Sequence, residues 1–186
     1  TGSSATTANF TIDTLEPTIV TDIHGNPVSM SDTELIKGDT ATVTIIFSEA
    51  VAGFASNDDV TVPNGTLSPM TSFDNILWTG TYTPNADVED ATNELIFGTD
   101  WTDTAGNTGF LFTSMNFTID TAVPVITLLG DATVTIEVGS AYTDAGATAI
   151  DNYDGLADLT SSIVTVSTVD TAVVGVYTLT YNVTDA

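Results

Sequence analysis

The 186-residue chain has no cysteine and no arginine, one lysine (Lys37) and one histidine (His24). Without cysteine no disulfide can staple the fold, which leaves a bound metal as the other staple a secreted domain can use. Nucleophilic and general acid–base catalysis draw on His, Cys, Lys or a Ser held by a base. A Ser-His-Asp arrangement could be built here only around His24, which sits in His24-Gly25-Asn26-Pro27, the composition of an exposed turn between two strand-like runs. An enzyme is therefore the least expected class, with carboxylate pairs its only remaining resource. Phosphate binding needs Lys and Arg, so nucleic acid is not an expected partner. No apolar run reaches membrane-spanning length, so membrane insertion is not expected. No signal-peptide pattern opens the chain either, and it reads as a piece of a longer protein.

Set against the single lysine are 25 acidic side chains, for a net charge of −24. Almost no carboxylate can find a cationic side chain, and an unpaired acidic surface repels itself. High ambient salt would screen that repulsion without a specific site; calcium would need clustered oxygen ligands. Strongly acidic chains are often disordered because they lack apolar residues. This one is 42 % hydrophobic, with enough length for one large or two small cores.

Apolar and polar residues alternate along most of the sequence, with no helical stripe longer than two turns. Thr42–Phe47, Leu77–Tyr82, Thr133–Val138, Ile163–Val166 and Val176–Tyr181 are the clearest runs, rich in the Thr, Val, Ile and Tyr that strands prefer. Turn residues separate them, as in Pro63-Asn64-Gly65 and Asp103-Thr104-Ala105-Gly106-Asn107. Many short strands without helices predict an antiparallel sandwich or barrel. Asn9-Phe10-Thr11-Ile12-Asp13-Thr14 with Pro17 recurs as Asn116-Phe117-Thr118-Ile119-Asp120-Thr121 with Pro124. Such a repeat marks a domain border: a closing strand, an Asp-bearing linker, and a proline opening the next domain at an edge. The expected division is residues 1–13 as the closing strand of a preceding or neighbouring domain, residues 16–120 as a first sandwich, and residues 123–186 as a second sandwich short of its last strand. Joining the end of the chain to its beginning restores an Asp-x-x-Gly-Ser turn (Asp185, Gly2, Ser3) like the one at Asp103–Asn107. The chain thus reads as one period of a tandem array, or of a head-to-tail polymer in which the strand spanning residues 5–12 completes the neighbour by β-augmentation.

Phe47-Ser48-Glu49-Ala50-Val51-x-Gly53-Phe54, with Asp59-Val60, Asn64-Gly65 and Asp103-x-Ala105-Gly106-Asn107, resembles the bacterial Ig-like repeats of giant surface adhesins. The second half carries Gly139-x-x-Tyr142-x-Asp144-x-Gly146-Ala147, Asp151-Asn152-Tyr153-Asp154-Gly155 and Val174-Gly175-x-Tyr177-x-Leu179-x-Tyr181-x-Val183-x-Asp185. It is similar to the surface-protein Ig-like modules related to hyalin repeats, except that Leu156-Ala157 separate Asp154-Gly155 from the acidic Asp158. The resemblance implies two tandem immunoglobulin-like antiparallel β-sandwiches in an all-β, extracellular, cell-surface protein. A stalk or spacer is the implied role; a subunit of a surface filament or surface layer, and an adhesive module binding glycan or a partner surface, are the alternatives.

Calcium is the one cofactor the residues point to, since it accepts six to eight oxygens from carboxylates, carbonyls and Asn side chains. Asp103 and Asn107 precede the closing strand of the first domain and Asp120 follows it, so an antiparallel strand separates them. Asp120 is expected nearer to loops of the second domain: Asp144, Asp151 and Asp154. Asp185 occupies the turn equivalent to Asp103. The adhesin resemblance implies linker calcium at the borders, with Asp13 acting at the preceding one and Glu49 a further ligand. Turn capping by Asp and Asn, and a solvated strand end at Glu49, are the ordinary alternatives. Four Asn-x-Thr sequons, at Asn9, Asn64, Asn116 and Asn182, are possible glycosylation sites. The expected partners are adjacent copies of the same repeat.

Overall fold

The structure, a computed structural model, describes residue 6 and residues 11–151 and 157–184. Between residues 28 and 120 the alternating runs form two facing layers. In one layer Ala41–Ile46 lies between Val28–Met30 and Leu77–Pro84, and the latter also pairs with Gly65–Leu67 and Thr71–Ser72, all antiparallel. In the other, Phe117–Asp120 runs parallel to Glu34–Ile36 and antiparallel to Glu89–Asn93. That layer continues with Ile96–Phe97 between Phe112–Thr113 and Val60–Thr61, and a short pair joins Val51–Ala52 to Thr102–Asp103. A single turn of helix, Ser56–Asp59, bridges two strands.

The period of two decides which side chains enter the core. Along Ala41–Ile46, Ala41, Val43 and Ile45 are buried while Thr42 and Ile46 face out. They meet Leu35, Phe97, Phe117 and Ile119 from the opposite layer in one continuous apolar cluster. Aromatic contacts tie the layers together: Tyr82 meets Phe117 edge-on at 5.1 Å, and Phe47 meets Trp101 at 4.7 Å. The buried Tyr82 hydroxyl donates to the Pro63 carbonyl at 2.7 Å, and desolvation pushes its pKa up to about 12.

The second domain is built differently. Val125–Leu128, Ala147–Asp151 and Ala157–Asp158 form one sheet, and Val164–Ser167 with Leu179–Asn182 a separate hairpin. Among the described residues its fully buried apolar side chains are Ala147 and Ala149 alone, whereas Val125, Val134, Val138, Val164, Val166 and Val176 are exposed. Thr133–Val138, expected to be a strand, joins no sheet among the described residues, and Val176–Tyr181 becomes strand only from Leu179. The alternation is present at Thr133–Val138; what the run lacks is a neighbouring backbone to pair with.

The tightest packing in the first domain is at Trp101. It is fully buried, donates from its indole to the Gly98 carbonyl at 2.8 Å, and accepts the Gly109 N–H on its own carbonyl at 2.9 Å. A Cβ at Gly109 would sit 2.4 Å from the indole ring. Gly109→Ala should therefore destabilise the first domain by about 1–3 kcal/mol through overpacking, read as a lower urea midpoint at unchanged slope.

Candidate metal centre

Two buried aromatics place the acidic residues at one end of the first sandwich. Glu49 lies two residues after Phe47 and Asp103 two residues after Trp101, and Phe47 and Trp101 pack on each other. The pairing of Val51–Ala52 with Thr102–Asp103 then aligns the two chain segments side by side. The linker is stitched to the same end: Ile19 bridges to Phe47, Thr18 donates to the Ser48 hydroxyl at 2.9 Å, and Val20 donates to the Ile46 carbonyl at 2.7 Å. Asp13, a few residues upstream, is thereby brought over the rim.

Carboxylate oxygens of Asp13, Glu49 and Asp103 all lie within 4.8 Å of one another, and this is the one such acidic group of three among the described residues. Asp103 is buried and organises its loop: Oδ1 accepts the N–H groups of Ala105, Gly106 and Asn107 at 2.8, 2.7 and 2.9 Å, and Oδ2 accepts the Asn107 amide at 2.7 Å. Gly106 has φ +97°, the left-handed turn that lets three N–H groups converge. Partial desolvation pushes the Asp103 pKa up, but together these hydrogen bonds outweigh it and hold the carboxyl below its ordinary range. Glu49 behaves oppositely: desolvation, then the charges of Asp103 and Asp13, raise it. The Asn107 amide also reaches the Asp13 carbonyl at 3.4 Å.

Ca²⁺–oxygen bonds are about 2.3–2.6 Å, so ligands on opposite sides of one ion stand about 5 Å apart. Three carboxylates within 4.8 Å fit that sphere, and the donors are all oxygen, as a hard cation requires. Asp13, Glu49, Asp103 and Asn107 are thus brought together, although the sequence had suggested no contact between Asp13 and Asp103.

The remaining candidates lie elsewhere. Asp120 is buried at the end of Phe117–Asp120, paired with Ile36 and Glu89. Asp151 is buried at the end of Ala147–Asp151 opposite Ala157. Asp144 is exposed, accepts the Gly146 N–H at 2.9 Å and is bound by the Tyr181 hydroxyl, which lowers its pKa. Asp154, Asp185 and the sequon Asn9 lie outside the described residues. Asn64 donates both amide hydrogens inward, to Asp90 and Asn93 at 2.8 Å each, so a glycan there would break that network. Asn116 donates to the Ala91 carbonyl at 2.9 Å, and Asn182 is exposed on its strand. His24 is exposed in its turn, where Asp22 accepts its N–H at 2.8 Å.

Two facing layers over one core, with carboxylates grouped at one end, define an immunoglobulin-like module. Residues 13–119 match the family model of a bacterial Ig-like domain, and residues 126–186 match that of a bacterial surface protein Ig-like domain. The chain belongs to the bacterial Ig-like domain family, and Ig-like modules of these two kinds are typically structural rather than enzymatic. No curated protein and no solved structure matched it.

Because Glu49 titrates above its ordinary value of 4.5, ionising it works against the metal-free fold. The stability carried by its protonated form is present below that ordinary value and is lost as pH rises through the raised one. In chelator at neutral pH, Glu49→Gln should raise the thermal midpoint, and the advantage should vanish once the pH falls below 4.5. Melting curves of both proteins across that range check it.

Proposed function

We propose that this chain is a spacer segment of an extracellular stalk, a rod of Ig-like sandwiches on a cell surface, and that calcium stiffens the border ahead of its first domain. The observation that carries the calcium reading is the convergence of Asp13, from the linker, with Glu49 and Asp103, from the domain, within 4.8 Å. In a chain with one basic residue, no arginine or second lysine can neutralise those three charges. A divalent cation would, and it would tie linker to sandwich at the point where a rod would otherwise hinge. Asn107 supports the site by ordering the Asp103 carboxylate and reaching the Asp13 carbonyl. An architectural role agrees with the family, and the one histidine lies exposed in a turn.

Calcium at about one hundred times its dissociation constant stabilises a protein by about 2.7 kcal/mol if only the folded state binds it. Calcium should therefore raise the unfolding midpoint of the chain and slow cleavage by chymotrypsin after the exposed Leu15, which follows the site in the linker. Glu49→Gln should lose both effects. Identical melting and cleavage in calcium and in chelator would remove calcium from this account and leave the spacer role standing.

A further inference from the structure

The second domain holds an open slot shaped for one β-strand. A cleft of about 760 Å³ is lined by Val134, Ile136 and Val138 and by Val176, Leu179 and Tyr181, with Glu137, Asp144 and Asp170 among its polar lining. Thr133–Val138 joins no sheet among the described residues, and Leu179–Asn182 pairs on one edge only, with Val164–Ser167. The slot therefore offers two backbone edges with apolar side chains from each segment beside them. In the first domain the corresponding place is filled. Phe117–Asp120 lies between Glu34–Ile36, a strand early in the domain, and Glu89–Asn93, part of the last long run before it. Phe117 and Ile119 point into the core at 1 % and 0 % exposure.

The chain carries a second copy of that filling strand. Asn9-Phe10-Thr11-Ile12-Asp13 repeats Asn116-Phe117-Thr118-Ile119-Asp120 residue for residue. Yet Ile12, the counterpart of the fully buried Ile119, is 80 % exposed.

We infer that residues 9–12 of one copy of this chain insert into the second domain of another copy, between Thr133–Val138 and Leu179–Asn182. The pairing should be parallel to the former and antiparallel to the latter, with Phe10 and Ile12 inward and Thr11 outward, as in the first domain. This is strand addition, in which backbone hydrogen bonds supply affinity and alternate side chains supply specificity. Because donor and acceptor are at different places on the same chain, the contact is heterologous and propagates head to tail. It does not depend on calcium.

Sedimentation velocity of the full chain over a range of concentrations tests this. Species larger than the monomer should grow with concentration and disappear in Phe10→Asp, whose melting curve should match that of the wild-type monomer. A labelled peptide of residues 7–14 should bind Phe10→Asp, and Ile136→Asp added to that variant should weaken the peptide at least about tenfold by placing a charge in the apolar slot. A wild-type chain that stays monomeric throughout overturns the inference. So does peptide binding that Ile136→Asp leaves unchanged.

Discussion

The closing strand is the element on which the rest of the architecture depends. Phe117–Asp120 joins two strands that do not otherwise touch and delivers Phe117 and Ile119 to the centre of the core. An interior strand satisfies the polar edges of both neighbours while covering apolar surface, and an unpaired edge or an uncovered face each costs free energy. The described part of the second domain is a three-stranded sheet and a separate hairpin, and its valines face solvent. Both halves are rich in Thr, Val and alternating patterns, so composition alone does not separate them; the inserted strand proposed above would.

Charge sets the second constraint. A chain at −24 cannot neutralise itself, so its carboxylates must accept backbone N–H groups, remain in water, or meet a cation from outside. Asp22 and Asp74 in their loops and Asp90 in Glu89–Asn93 take the first course, and their pKa values fall accordingly. Glu49 moves the other way because partial desolvation, and then the charges of Asp103 and Asp13, raise it. The two constraints meet at residues 9–13. The apolar part of this segment is the strand proposed for a neighbouring sandwich, and its last residue is the carboxylate that reaches the first domain. A filled slot and an occupied carboxylate group would together fix two successive sandwiches through the same few residues.

The fold class was legible because it rests on local signals: strand alternation and turn residues. Leu77–Tyr82 and Thr42–Phe47 became strands close to their expected limits for that reason. Thr133–Val138 did not, because pairing depends on a partner elsewhere and the alternation of a run says nothing of whether that partner is in place. The candidate metal centre was legible in its members and not in its grouping. Glu49 and Asp103 are neighbours through the register of Val51–Ala52 with Thr102–Asp103, and Asp13 joins them through the bridge of Ile19 to Phe47. Neither contact has a counterpart in sequence spacing.

Amide hydrogen exchange resolved by residue, on the Phe10→Asp chain kept dilute, tests most directly the claim that a closing strand decides whether each sandwich is complete. The account predicts strong protection across Phe117–Asp120 and its neighbours Glu34–Ile36 and Glu89–Asn93. It predicts rapid exchange along Thr133–Val138 and at the N–H groups on the unpaired edge of Leu179–Asn182. Equal protection of the two domains in that isolated chain would contradict it.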